Sequence, residues 1–435
     1  MKNVLDLLID DFHERTLPEL MPRHQHMIWV EGKANVVIGM RRAGKTWFCY
    51  QKMHELLTEG IPKERLLYLN FEDERLLPFA AQDFQLVLET YYRKFPDFKD
   101  KRCYLFLDEV QRIEGWDKFV RRVLDTEDLS ICITGSSSQL LSSEIATSLR
   151  GRSLTTEIFP FSFEEFLSFN KVTLDSPQRF GSKSRATFQN MFGQYIRIGG
   201  FPEVQTLDDE LRRQVLRNYL DVVILRDVVE RYSIGNTPAL RALIKHIMSA
   251  PATRFSLNKF YNSLKSQGIA CSKNNLYDFM EYLTDSFLVY QVPIHARSER
   301  VRRVNPQKIY VIDPALLEAM TYRPTSDLGA VLENLVFMYF RRKGIRPEYY
   351  ITERGNEVDF VVAPEGRKER QLIQVCWEIH DPVTRKREVD ALVEAKKELG
   401  LKKGTIVTWL DEDPSVEGVA ILPAWKWLLT EGKKP

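Results

Sequence analysis

The sequence predicts an α/β protein whose amino-terminal part is a parallel sheet carrying a phosphate-binding loop at its open end. Three observations predict it. The run Gly39-Met40-Arg41-Arg42-Ala43-Gly44-Lys45-Thr46 leaves the apolar stretch Asn35-Val36-Val37-Ile38 and fits G-x-x-x-x-G-K-[ST] at every constrained position. Cys103-Tyr104-Leu105-Phe106-Leu107 has the short apolar character of a buried parallel strand, and it ends in Asp108-Glu109, where open sheets hold their ligands. Leu66-Leu67-Tyr68-Leu69-Asn70 reads as a strand between these two, and Ile131-Cys132-Ile133-Thr134 as a fourth.

Taken in order, residues up to about Trp29 form a helical lead-in, and Gly32-Lys33 turns into the first strand. In the loop that follows, glycines let the backbone aim successive N–H groups at phosphate oxygens, and the helix opening there adds its positive dipole end. The expected nucleotide contacts run from Gly39 through Met40, Arg41, Arg42, Ala43, Gly44, Lys45 and Thr46 to Trp47. Lys45 is expected to reach the β and γ phosphates and Thr46 to offer its hydroxyl to Mg²⁺. Asp108 would hold the Mg²⁺ shell, and Glu109 would orient and deprotonate the attacking water. The alternative is an exposed carboxylate pair ending a strand. ATP and Mg²⁺ are therefore the expected ligands.

The fourth strand runs into Gly135-Ser136-Ser137-Ser138, which places Ser136 beside the expected γ phosphate as a sensor. Serines that merely cap a helix are the alternative. One helix later, Arg150-Gly151-Arg152 offers Arg152, with Arg150 in reserve, as a finger supplied to a neighbouring subunit; solvated surface charge is the other reading.

Val37 to Thr46, Tyr68-Leu69-Asn70-Phe71-Glu72-Asp73, Leu107-Asp108-Glu109-Val110-Gln111, Thr134 to Ser138, Leu149-Arg150-Gly151-Arg152 and Pro160-Phe161-Ser162-Phe163-Glu164-Glu165-Phe166 together resemble a prokaryotic AAA+ family. Its members join an ATPase core to a C-terminal domain of unknown function. The likeness continues through Ile198-Gly199-Gly200-Phe201-Pro202-Glu203 and Leu225-Arg226-Asp227-Val228-Val229. It implies a P-loop NTPase core of AAA+/ASCE type, ATP binding and hydrolysis, a winged-helix segment and a restriction-endonuclease-like tail.

Beyond the core, Asn170 to Arg185 lacks apolar periodicity and reads as a junction. Leu211, Val215, Tyr219, Val222, Val223 and Val229 recur at helical spacing between Asp208 and Tyr232, which predicts an amphipathic lid helix on which Arg226 faces either nucleotide or solvent. A capped helix from Phe255 to Leu264 and a second one after Ser272 follow. The second puts Lys273, Asn274 and Asn275 in its first turn, where recognition helices present groups to DNA. Strands Leu288 to Val292 and Lys308 to Ile312 flank Arg297, Arg300, Arg302 and Arg303, so these arginines are expected on a hairpin, the basic wing of a winged helix. A packing or protein-binding module is the alternative.

In the last third, Glu333 on a helix, Glu357 and Asp359 on a strand, and Gln374 on its neighbour resemble the PD-(D/E)XK nuclease pattern, in which carboxylates grip Mg²⁺ and a lysine steadies the nucleophilic water. Gln374-Val375-Cys376 stands where E-x-K is expected. An amide is a poor ligand for a hard cation and a thiol cannot replace the lysine, so a domain without catalysis is expected.

The expected division is therefore an ATPase core over 1–170, a helical lid over 171–235, a winged helix over 236–312 and a nuclease-like domain over 313–435. With 435 residues and 44% hydrophobic content there is room for two or three domains. A formal net charge of +2 argues no polyanion partner by itself, so DNA rests on the local clusters. Neither a membrane-length apolar run nor a secretion signal is present, which makes the cytoplasm the expected location. Cys49, Cys103, Cys132, Cys271 and Cys376 are odd in number and dispersed, as small core residues are. The leading expectation is an ATPase working on DNA or a nucleoprotein, homo-oligomeric if Arg152 or Arg150 acts in trans. A slow nucleotide switch and an ATP-dependent nuclease are the alternatives.

Overall fold

The computed structural model describes residues 1–135, 148–173, 180–321, 327–363, 370–416 and 418–430. The chain divides into two compact units, Met1–Phe159 with Asp285–Phe287, and Pro160–Thr284 with Leu288–Pro435.

The first unit is a parallel sheet of β1 (Ala34–Ile38), β2 (Leu66–Asn70), β3 (Cys103–Asp108), β4 (Leu129–Gly135) and β5 (Ser153–Glu157), in the order β2-β3-β4-β1-β5. Every residue of β1 is buried, as the unbroken apolar run requires of a strand covered on both faces. β4 lies between the loop-bearing β1 and the carboxylate-bearing β3, whereas β2, which separates them in sequence, is the edge strand. Helices α1 (Lys2–Glu14), α2 (Lys45–Thr58), α3 (Phe84–Lys94) and α4 (Trp116–Thr126) accompany the sheet. One core cluster joins Phe12, Leu17, Phe48, Met53 and Leu56 to Val37, Tyr68, Phe106 and Cys132. Each such apolar side chain contributes roughly 1.5–3 kcal/mol on burial. Cys49 and Cys132 are among them, with sulfurs 3.9 Å apart and no disulfide.

The second unit begins with α5 (Phe163–Phe169), whose capping box is complete: Glu165 N–H donates to Ser162 Oγ at 3.2 Å and Ser162 N–H to Glu165 Oε2 at 2.8 Å. Next come α6 (Ser182–Ile198) and α7 (Asp209–Val222), the latter continuing as a π-helix over Val223–Glu230. Arg226 on that π-helix is exposed and faces Glu230 at 3.9 Å.

Gly199 and Gly200 close a tight junction here. Gly199 has φ +77°, and a Cβ on it would stand 2.6 Å from that of Ala315; one on Gly200 would stand 2.8 Å from the Phe161 nitrogen. Gly200 N–H donates to the buried Asp313 Oδ2 at 2.6 Å, and Phe161 N–H donates to the Gly200 carbonyl at 2.6 Å. The Pro160–Phe166 and Ile198–Glu203 motifs therefore meet, with Asp313, in one packing joint.

Then follow α8 (Thr237–Ser249), β6 (Arg254–Phe255), α9 (Leu257–Ser266), α10 (Lys273–Asp285), β7 (Val289–Val292), α11 (Glu299–Val304) and β8 (Gln307–Val311), with the antiparallel sheet order β6-β8-β7. The β7–β8 pair forms as the sequence suggests, but its connection is helical. Glu299 to Val304 makes a short helix with an i,i+4 approach of Glu299 and Arg303 at 3.7 Å, in place of an open hairpin tip.

The remainder holds α12 (Ala315–Thr321), α13 (Leu328–Arg342), β9 (Glu348–Ile351), β10 (Glu357–Val362), β11 (Gln371–Cys376), α14 (Pro382–Leu399), β12 (Gly404–Thr408), β13 (Asp413–Val416), β14 (Val419–Pro423) and α15 (Ala424–Thr430). Its six strands run β13-β14-β12-β11-β10-β9. Leu392 and Ala395 of α14 pack on Val358, Leu372, Ile406 and Ile421. Among the described residues no helix is long and apolar enough to cross a membrane.

Candidate functional site

The loop between β1 and α2 is shaped by two glycines. Gly39, at φ +141°, turns the chain out of β1 where a side chain would collide with the Ile158 carbonyl oxygen; Gly44, at φ +104°, is the N-cap of α2. L-residues with a Cβ avoid both conformations. α2 therefore starts at Lys45 and points its unsatisfied N–H groups back into the loop. Lys45 Nζ folds over that loop, donating to the Gly39 carbonyl at 3.1 Å and the Met40 carbonyl at 3.2 Å. Arg41 approaches Glu72, which follows β2, at 3.6 Å, and Trp47 is half exposed on the first turn of α2.

Asp108 closes the other side. Its Oδ2 accepts Thr46 Oγ1 at 2.8 Å and Tyr68 OH at 2.7 Å, and its Oδ1 accepts Thr134 Oγ1. Burial pushes the Asp108 carboxyl above the usual carboxylate range, opposed by the Thr134 and Tyr68 hydroxyls. Glu109, next along, has a left-handed backbone at φ +54°, receives Gln111 Nε2 on its Oε2 at 2.5 Å, and donates its N–H to Thr134 Oγ1 at 3.0 Å. A non-glycine residue held in that region persists only where its surroundings over-determine it. Lys45, Thr46, Asp108 and Glu109 are thus brought to the carboxyl ends of β1 and β3.

Three further contributors are given no role by the motifs. Arg23, 6% exposed, lies under the loop, donating from Nη1 to the Ala43 carbonyl at 2.9 Å and from Nη2 to the Phe159 carbonyl. Gln51 Oε1 accepts the Arg23 N–H at 2.7 Å. Tyr68 and Thr134 are the other two, and their positions in strands that end beside the loop were the available signal.

Arg152 lies elsewhere. It precedes β5, its carbonyl accepts the Ala34 N–H at 2.9 Å, and its guanidinium pairs with Asp125. That is the amino end of the sheet, one strand length, about 16 Å, from the loop. Arg150, nearby, is exposed. Ser136 falls outside the described residues.

In the second unit Lys273, Asn274 and Asn275 are exposed in the first turn of α10, with Asn275 N–H tied to Ser272 Oγ at 3.0 Å. Arg297, Arg300 and Arg303 are exposed. Arg302 is turned inward, donating from Nε to the Ala296 carbonyl at 2.8 Å and from Nη2 to Glu348 at 3.1 Å. Glu333, Glu357 and Asp359 converge on Lys308 Nζ, 2.7 Å from an oxygen of each. Gln374 accepts the Asp359 N–H at 3.2 Å and donates to Glu388 Oε2 at 2.8 Å.

The comparisons with known proteins agree along the length of the chain. Residues 31–167 match an AAA domain, residues 189–327 a domain of unknown function (DUF8612) and residues 328–427 another (DUF4143). MJ1544, an uncharacterised protein of Methanocaldococcus jannaschii, is 34% identical over 98% of this chain and 95% of its own length. The chain belongs to this AAA-domain family. An uncharacterised protein of Haemophilus influenzae, 30% identical over 91% of this chain and 94% of its own, is similar in the same way. Among solved structures, the Aeropyrum pernix ORC1 protein covers 67% of this chain and 87% of its own at 13% identity and a TM-score of 0.30. Cdc6p of Pyrobaculum aerophilum covers 77% and 93% at 12% identity and a TM-score of 0.25. The match over 31–167 makes this AAA-domain protein a P-loop NTPase of the ATPase type, followed by C-terminal domains of unknown function.

Proposed function

We propose that this AAA-domain protein binds ATP with Mg²⁺ and hydrolyses it, and that the cycle acts through the second unit on DNA. The junction of Thr46 Oγ1 and Asp108 Oδ2 at 2.8 Å carries the reading, because it pairs the two oxygens that a Mg²⁺ ion with few protein ligands requires. The residues fit the ligand: Gly39 and Gly44 hold the loop at φ angles that other residues avoid, and Lys45 lies over it. Mg²⁺, when bound, neutralises charge on the phosphates. Lys45 and the loop N–H groups would bind and orient the triphosphate, and Glu109, fixed by Gln111, would take the proton of the attacking water.

Support for DNA comes from the helix, strand, helix, helix, strand, short helix, strand order of residues 237–311, which resembles a winged helix whose wing carries a helical turn. The exposed Lys273, Asn274 and Asn275 stand where such a helix meets a groove, and Arg297, Arg300 and Arg303 where a wing meets phosphates. Arg152 would act on a neighbouring subunit's nucleotide, since its own is a strand length away.

Steady-state ATP turnover of the purified chain, with and without duplex DNA, tests this. Turnover abolished by Glu109→Gln and raised by DNA is expected. Turnover indifferent to DNA, with assembly driven by a non-hydrolysable analogue, would replace the DNA reading with that of a nucleotide switch. Survival of turnover in Glu109→Gln would remove the base assignment.

A further inference from the structure

We propose that Lys308 is the resident cation of the Glu333, Glu357 and Asp359 carboxylates. It takes the position that a divalent metal holds in a nuclease and fastens the three-stranded sheet to the six-stranded one. The C-terminal segment is then an ion-locked support with no metal-dependent nuclease centre.

An ammonium has three N–H donors, and the Lys308 ammonium finds three carboxylate acceptors, each at 2.7 Å. Only 2% of Lys308 is exposed. The second oxygens of Glu357 and Asp359 are engaged as well. Glu357 Oε2 receives Arg254 Nε at 3.1 Å and Asp359 Oδ2 the Val375 N–H at 2.8 Å, while Tyr310 OH shares Glu333 Oε1 at 2.6 Å. Arg254 and Lys308 are directly opposed in the β6–β8 ladder, so one strand pair delivers two cations to Glu357.

A Mg²⁺ ion needs oxygens at about 2.0–2.1 Å in near-octahedral array and keeps several waters. Nζ already stands at the point on which the three carboxyl groups converge, and expelling it would strand an unpaired ammonium in a buried site, which is costly. Burial itself works against the charged lysine. Attraction from Asp359, Glu333 and Glu357 more than offsets it and holds the Lys308 pKa well above its usual value. A lysine that steadies a nucleophilic water must reach solvent, and this one does not. Among the described residues no group of three or more His, Cys, Asp or Glu has metal-holding geometry. Lys308 lies in the segment matched over 189–327 and its three acceptors in the segment matched over 328–427, so the lock joins the two.

Three measurements on the full-length protein test the assignment. Mn²⁺ titration followed by electron paramagnetic resonance should count the same number of ions on the wild type and on Asp359→Asn; one ion fewer on the variant overturns the proposal. Reductive methylation of the native protein, read by peptide mass spectrometry, should modify Lys308 at least tenfold more slowly than the exposed Lys343. Equal rates overturn it. Lys308→Ala should lower the unfolding temperature, with partial recovery in Lys308→Ala/Asp359→Asn, and an unchanged temperature in the single variant overturns it. Should Lys308→Ala fail to fold, the titration and the labelling still decide.

Discussion

Thr46 Oγ1 donates to Asp108 Oδ2 across 2.8 Å, tying the first turn of α2 to the last residue of β3. Tyr68 from β2 and Thr134 from β4 donate to the same carboxylate, so groups from three elements converge on one buried anion at the end of a fourth. This convergence sets the carboxylate among hydroxyl donors without any ligand, and donors already in place are the condition for electrostatic preorganisation.

Asp108→Asn should therefore separate activity from stability. If Asp108 orders the metal shell as proposed, losing the anion removes several kcal/mol of transition-state stabilisation, and turnover falls by at least about 100-fold. Asp108 is buried, which disfavours its charged form, and its hydroxyl partners can reorient to an amide. The unfolding temperature should hold or rise. A matched fall in both quantities would mean the carboxylate is chiefly structural.

Gly200→Ala should destabilise the protein by about 3 kcal/mol or more. The added Cβ meets the Phe161 backbone, which is already bonded to Gly200 on one side and held by Tyr195 OH at 2.8 Å on the other, so the neighbour cannot retreat. Denaturant unfolding checks it. A loss below about 1 kcal/mol would show that the joint yields.

How much of this was legible follows from how local each signal is. The four core strands were readable because each is a short apolar run, and the loop because its constraints fall within eight consecutive residues. Gly199 and Gly200 were legible only as part of a family likeness; their reason, the approach of Phe161 and Asp313, is tertiary. Lys308 reads as the first residue of an apolar strand, and nothing in Lys308-Ile309-Tyr310-Val311-Ile312 points to acceptors 25 and 51 residues downstream. Arg23 sits in an irregular lead-in with no periodicity to mark it. The arginine cluster was visible as charge, but its folding into a short helix depends on the local approach of Glu299 and Arg303, and the withdrawal of Arg302 on the distant Glu348.

Glu333 gives the stability a pH dependence. Burial, then the charge of Asp359, pushes its carboxyl up to about 8 from an ordinary value of 4.5, although Lys308 and Tyr310 pull the other way. Between those values the native protein keeps a proton on Glu333, whose carboxyl still accepts Lys308 through Oε1, while the unfolded chain has released it; this contribution therefore declines as pH rises through that window and is constant above it. Glu333→Gln lacks the titration. The stability of the wild type relative to Glu333→Gln, from denaturant melts at pH 5 and pH 8.5, should move against the wild type as pH rises; the opposite sign would place the proton elsewhere.

Arg302 and Arg303 are adjacent but should fail in different ways. Arg303 is 80% exposed and its nearest acid, Glu299, is exposed on the same short helix, so its charge is available to a phosphate. If it meets duplex DNA, Arg303→Ala flattens the slope of log affinity against log salt by roughly 0.9, the release of one phosphate's counterion. Arg302 already spends its donors on the Ala296 carbonyl and Glu348. Arg302→Ala should leave that slope unchanged and lower stability by about 1 kcal/mol through the orphaned acceptors. Salt titrations of DNA binding on both variants, beside their melting curves, separate the two roles. A flattened slope for Arg302→Ala would mean that its ion pair opens on binding, and an unaltered slope for Arg303→Ala would take this helix out of the DNA contact.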